Sequence, residues 1–100
     1  MIRHVVMWKF KENAEGRTKL ENMEKLRDGL FALLPIIPEI KKMEIGFDVK
    51  HTDFSMDFML LTEFDNMDDL GVYAVHPDHL KLSAFVREVV ETRVVLDCEI

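Results

Sequence analysis

The sequence has a single cysteine, Cys98, and no long apolar run. One cysteine excludes an intrachain disulfide and a multi-cysteine zinc or iron–sulfur site, which indicates a reducing compartment. The longest apolar stretch, Leu30 to Ile37, is interrupted by Pro35 and falls far short of the roughly 20 residues of a membrane span. The N-terminal run from Val5 to Trp8 is shorter than the roughly 7–15 residues of a signal-peptide core. We therefore expect a cytoplasmic protein with no membrane partner.

The sequence has fewer basic than acidic residues. Lys and Arg total 13 against 19 Asp and Glu, which gives a net charge of −6 and an isoelectric point near 5.1. The basic residues are also scattered, so the chain lacks the positive field that attracts phosphate backbones, and no nucleic-acid partner is expected. Hydrophobic residues make up 48% of the 100 residues, a composition and length typical of one globular domain. We predict a single domain over residues 1–100.

Four segments have the composition or alternation of β-strands. They are rich in β-branched, aromatic and long apolar residues, or alternate apolar with polar residues in the two-residue period of a strand. The predicted strands cover residues 2–10, 42–47, 56–64 and 93–100.

Two helical regions separate these strands. Between Arg17 and Leu34 apolar residues recur at spacings of three and four, Thr18 and Glu21 fit a capping box, and the two prolines that follow end the helix. A short helical turn precedes His76, and Pro77 suits the first position of the next helix. The order β-α-β-β-α-β predicts an α+β, ferredoxin-like fold with a four-stranded antiparallel sheet.

The first predicted strand is apolar on both faces, with Val6 and Trp8 on one side and Val5 and Met7 on the other. Two helices can cover only one face of the sheet, and soluble monomers rarely expose large apolar patches. A second copy is the simplest cover, so we predict a homodimer whose two sheets form an α/β barrel. The space between the sheets is either filled by side chains or encloses a pocket.

The segment from Tyr73 to His79 concentrates groups suited to proton transfer. His79 falls near the third position of a predicted helix, where the helix dipole disfavours an imidazolium, so we predict a neutral ring. A neutral histidine can accept a proton, and the Tyr73 hydroxyl can donate a hydrogen bond to a carbonyl as negative charge develops on it. The alternative is structural: His76 caps the helix that Pro77 begins, and no substrate is needed.

Other candidates come from the strands. His4 shares the side of Val6 and Trp8, so its ring faces either the core or a pocket. Candidate ligand-binding residues are Trp8, Phe58, Leu60 and His76. His76 and His79 have no third placed ligand, which makes a metal site improbable, and no glycine-rich loop follows a strand. We expect neither a metal nor another cofactor.

Several short motifs, in their order and spacing, resemble those of the stress-responsive A/B barrel domain family, whose members are also called dimeric α/β barrel proteins. The similarity extends over nearly the whole chain. The motifs are His4-Val5-Val6, Trp8-Lys9-Phe10, Ile37-Pro38-Glu39-Ile40, Gly46, Asp57-Phe58, Tyr73 with His76-Pro77-Asp78-His79, and Asp97. The histidine-proline element is the most specific of them.

The resemblance implies a ferredoxin-like subunit that dimerises through its sheet. Many bacterial members of the family have no assigned activity. One plant member is a cofactor-free polyketide cyclase in which a histidine and a tyrosine matching His79 and Tyr73 form the catalytic pair. A histidine near that pocket matches His4. The resemblance thus implies these three residues as candidate catalytic residues.

Several functions remain open from sequence alone. The first is a homodimer of unassigned activity that binds a small apolar or aromatic molecule. The second is a cofactor-free lyase, isomerase or cyclase with His79 as base, Tyr73 as hydrogen-bond donor and His4 as orienting group. The third is a structural, stress-protective dimer with a filled interior. A haem-degrading or quinol-forming monooxygenase ranks last.

Overall fold

Four strands form one antiparallel sheet in the order β4-β5-β1-β6 in the computed structural model, which describes residues 1–100. The elements in chain order are β1 (Ile2–Phe10), β2 (Asn13–Ala14), β3 (Arg17–Thr18), α1 (Lys19–Phe31), β4 (Lys42–Phe47), β5 (Phe58–Phe64), α2 (Met67–Val75), α3 (Pro77–Val89) and β6 (Val90–Glu99). The predicted α+β, ferredoxin-like order is confirmed. The structure adds the small β2–β3 hairpin and makes the short turn before His76 a nine-residue helix, α2.

The β2–β3 hairpin leads directly into α1. Its turn residues Glu15 and Gly16 both have positive φ, at 53° and 72°. Thr18 then caps the helix: its side-chain oxygen accepts a hydrogen bond from the Glu21 N–H, and the Glu21 carboxylate accepts one from the Thr18 N–H. The predicted capping box is confirmed.

Two predicted boundaries are wrong by at least three residues. Helix α1 ends at Phe31 rather than Leu34, and tighter turns follow, including a bond from the Leu33 N–H to the Leu30 carbonyl. A residue that precedes proline is disfavoured in the α conformation, so the helix stops before it reaches Pro35. Strand β6 begins at Val90 instead of Arg93, because β-branched residues favour the extended backbone that pairs with the end of β1.

One face of the sheet packs against the three helices and carries the core, which includes Val6, Phe58 and Leu60. Helices α1 and α3 approach closely at Gly29, where an added Cβ would lie 2.8 Å from Cδ1 of Leu82. Gly29, which weakens a helix by propensity, therefore permits this helix–helix contact. No helix is both long enough and apolar enough to cross a membrane.

The opposite face of the sheet has no helix over it. Strand pairing places apolar residues of β1, β5 and β6 side by side, and Met7, Val94 and Leu96 are 38%, 43% and 61% exposed. We call this surface the outer sheet face; its apolar residues are Val5, Met7, Met59, Leu61, Val94 and Leu96. The prediction that the sheet is apolar on both faces is confirmed.

Candidate functional site

A cavity of about 380 Å³ lies between the helix-covered face of the sheet and the helices. Ten of its fifteen lining residues are hydrophobic. The lining comprises His4, Val6, Trp8, Leu26, Leu30, Leu60, Leu70, Tyr73, Ala74, His79, Leu82, Ser83, Val86, Arg87 and Arg93. The pairing of Val6 with Leu60 puts the lining strand residues on the helix side of a single subunit, so this cavity is distinct from the space between two facing sheets.

The junction between α2 and α3 positions two of these residues. His76 ends α2 and begins α3, and its Nδ1 accepts a hydrogen bond from the Asp78 N–H at 3.1 Å. Pro77 occupies the start of α3, where its missing N–H costs nothing. The turn at His76 brings the Tyr73 ring, on α2, within 4.2 Å of the His79 ring, on α3, measured between centroids.

His79 is held in one tautomer by the end of α2. Its Nδ1 lies 3.1 Å from the Ala74 carbonyl oxygen, and a carbonyl can only accept, so Nδ1 carries the proton and Nε2 keeps its lone pair. Burial lowers the pKa of His79, the Ala74 bond opposes that shift, and the charges of His4 and Arg93 lower it further. The direction agrees with the predicted neutral ring, but burial rather than the helix dipole is the main cause.

Tyr73 is a buried donor without a partner in the protein. Only 2% of the residue is exposed, and burial raises the pKa of its hydroxyl to about 12 despite the opposing charge of Arg93. The hydroxyl is therefore protonated at physiological pH. It makes no hydrogen bond within the chain, and it is not among the polar atoms sealed from solvent, so it is free to donate to a molecule in the cavity.

His4 completes a row of three rings. Its centroid is 6.5 Å from that of Tyr73 in an edge arrangement, and its Nδ1 donates to the Asp97 carboxylate on the neighbouring strand β6. That bond orients the imidazole and leaves its Nε2 without the proton in the neutral ring. The structure therefore places His4, Tyr73 and His79 together on one cavity.

Four of the seven residues predicted for the site need separate comment. Trp8 and Leu60 line the cavity, as expected for ligand-binding residues. Phe58 does not: it belongs to the core, with its ring 5.5 Å from Trp8, and it borders a separate shallow depression. His76 also lies outside the lining, because its ring serves as the cap of α3.

Sequence reasoning missed the two arginines of the lining, Arg87 and Arg93. The pairing of Arg93 with Trp8 across β1 and β6 puts both residues on the helix-covered face, and this register is not readable from one strand alone. No group of three or more histidine, cysteine or acidic side chains is arranged to hold a metal ion.

The family-model comparison matches residues 2–100 to the Stress Responsive A/B Barrel Domain. The chain belongs to this family. A comparison with curated proteins gives no match. Among solved structures, a dimeric Bacteroides fragilis protein of unknown function with a ferredoxin-like fold is 30% identical, with 99% of this chain and 95% of that chain covered and a TM-score of 0.86.

Two further structures show the same fold. A dimeric ferredoxin-like protein of unknown function from Thermobifida fusca is 25% identical, with 99% and 90% of the two chains covered and a TM-score of 0.83. A hydroxynitrile lyase from Passiflora edulis is 19% identical, with 97% and 90% covered and a TM-score of 0.80. At 19% identity the comparison shows that the lyase and this A/B barrel domain protein share a fold, and it shows nothing about activity.

Proposed function

We propose that this A/B barrel domain protein binds a small, largely apolar or aromatic molecule in the cavity between its sheet and helices. The observation that carries the proposal is the cavity itself. Its volume of about 380 Å³ lies in the range of small-molecule sites, and its mostly apolar wall with a few convergent polar groups is the usual composition of such sites. A purely structural role would favour a filled interior, because protein cores pack to high density.

The proposal includes the assembly and setting of the protein. Residues 1–100 act as one domain, and two copies pair through the outer sheet face. The dimeric Bacteroides and Thermobifida proteins support that pairing, as does the exposed apolar surface of Met7, Val94 and Leu96. The acidic chain works in the cytoplasm without a nucleic-acid or membrane partner.

Trp8 provides the assay, because it is the only tryptophan of the chain and lines the cavity. We expect non-absorbing cyclohexyl probes to change its fluorescence saturably. Ser83→Phe, which adds a ring to the cavity wall, should weaken binding at least tenfold. Ala84→Phe adds the same ring at the exposed neighbouring position outside the lining and should leave the affinity unchanged.

Calorimetry with aromatic probes gives an independent measurement. Equal loss of affinity in the two phenylalanine variants would place the binding site elsewhere. No saturable binding of any cyclohexyl or aromatic probe would leave the structural dimer as the better account.

A second candidate function is cofactor-free acid–base chemistry on a carbonyl compound. It is favoured by the free Nε2 of His79 beside the partnerless hydroxyl of Tyr73. In this mechanism Nε2 removes a proton from the carbon next to the carbonyl, and the electron pair moves into the carbonyl to form an enolate. The Tyr73 hydroxyl donates a hydrogen bond to the enolate oxygen, while His4, held by Asp97, orients the bound molecule.

Proton exchange tests this second function without knowledge of the natural substrate. Phenylacetone in D₂O should lose its α-hydrogen NMR signals faster with the protein than with buffer alone. His79→Ala should abolish the acceleration while phenylacetone still binds, and Tyr73→Phe should reduce it about 10²-fold or more. Exchange that proceeds equally in His79→Ala would remove His79 from the mechanism.

A further inference from the structure

The charges on the cavity wall are opposite in sign to the charge of the chain. The protein has six more acidic than basic residues, yet the cavity lining contains two arginines and no carboxylate. Arg87 lies in the last turn of α3 and Arg93 lies on β6. Neither forms an ion pair or a side-chain hydrogen bond, whereas Arg3 pairs with Glu63 and Lys19 with Glu12.

Local structure explains one of these arginines but not the other. A cation in the last turn of a helix interacts favourably with the helix dipole, which accounts for Arg87. No helix dipole stabilises the charge of Arg93, since this residue lies in a strand and pairs with Trp8. Its positive charge opposes the rise that burial causes in the pKa of Tyr73, and it lowers the pKa of His79. The field of Arg93 therefore reaches the ring cluster.

Trp8, the residue paired with Arg93, carries a hydrogen-bond donor that has no partner. The indole N–H of Trp8 is buried and has no acceptor in the protein, and it is the single buried side-chain polar atom in that condition. A buried donor without an acceptor is unfavourable, and an acceptor from a bound molecule reaches this one only if the indole ring turns toward the cavity. Trp8 and Arg93 face each other across neighbouring strands on the cavity side.

We propose that the ligand of this cavity is an apolar carboxylic acid, whose carboxylate is held by Arg93 and Arg87. This inference rests on the proposed function and narrows its ligand class. A guanidinium binds a carboxylate through two parallel N–H donors, and both arginines are exposed residues of the cavity lining.

The register sets the orientation of such a ligand. Trp8 pairs with Arg93 and His4 pairs with Asp97, so the two pairs are four residues apart, or about 13 Å along the strands. The carboxylate end and the His4–Tyr73–His79 end are therefore separated along β1, with the apolar wall of Val6 and Leu60 between them. A ligand would place its hydrocarbon part on this wall and extend toward the rings.

Matched pairs of probes test the proposal. Calorimetry compares 3-cyclohexylpropanoate with 3-cyclohexylpropanamide, and 2-naphthoate with 2-naphthamide, so that each pair shares its skeleton and differs in charge. We expect each acid to bind at least tenfold more tightly than its amide. Arg93→Gln should remove most of that preference, and Arg87→Gln part of it. Lys50→Gln removes one positive charge from an exposed loop outside the lining and should change nothing.

Salt gives a second measurement that does not depend on any variant folding. The affinity of the acids should fall between low and high NaCl concentration while that of the amides stays constant. Equal binding of acid and amide, or an acid preference unchanged in both arginine variants, would overturn this inference and leave the proposed function intact. Failure of all four probes to bind would overturn both.

Discussion

At the scale of single residues, the fold acts most clearly on the charge state of His79. Burial and the nearby positive groups lower its pKa, so the folded chain holds the ring neutral while the unfolded chain binds a proton near the ordinary value of 6.5. Between the lowered and the ordinary pKa, the unfolded state binds more protons than the folded state. Stability from this residue is therefore present above pH 6.5 and is lost as the pH falls through that window.

We predict that the NMR titration of the His79 ring has a midpoint below 6.5. We also expect the urea midpoint of unfolding to decline on acidification from pH 7 to pH 5, and to decline less in His79→Gln, which has no proton to gain. A His79 midpoint above 6.5 would contradict the buried, uncharged ring.

The candidate site was predictable at this scale only where a short motif carried it. Tyr73 and His79 are six residues apart, and Pro77 between them predicts the start of a helix. His4 could be placed on a strand face but not assigned to core or cavity. Arg93 was not predictable, since its role depends on a partner residue 85 positions earlier in the chain, Trp8.

At the scale of elements, the α2–α3 junction links stability to site geometry. His76 serves as the end of one helix and the cap of the next, and its ring lies outside the cavity lining. The sequence predicted the cap because proline follows it directly. It could not predict the end of α1. The helix ends before Pro35 and tighter turns follow, and the spacing of apolar residues does not distinguish these turns from a helix.

We predict that His76→Ala lowers the free energy of unfolding by about 1 kcal/mol, because the side-chain acceptor for the Asp78 N–H is lost. His76→Asn supplies an oxygen to the same N–H and should recover most of that loss. Urea denaturation measures both variants. A probe that binds the cavity in the wild type should bind His76→Asn with unchanged affinity, and a large loss of binding there would indicate direct contact with the ligand.

At the scale of the whole molecule, the sheet has two apolar faces that serve different purposes. The helices and the cavity occupy one face, and the outer sheet face is bare. The sequence predicted two apolar faces because single strands carry apolar residues on both sides, and from this it predicted the dimer. It could not predict which face holds the cavity, because side chains such as Trp8 and Met7 look equally apolar in sequence while only the strand register and helix positions distinguish their surroundings.

The last prediction concerns this outer face. Met7 lies on the central strand β1 within it, so Met7→Lys places a charge where a second copy would have to bury it, at a cost of several kcal/mol. We expect sedimentation at micromolar concentration to give a two-chain mass for the wild type and a one-chain mass for Met7→Lys. Leu80→Lys, at an exposed position of α3 away from that face, introduces the same charge and should remain a dimer. If Met7→Lys keeps the two-chain mass, the copies do not meet through the sheet, whereas a one-chain wild type would leave this apolar surface exposed to solvent.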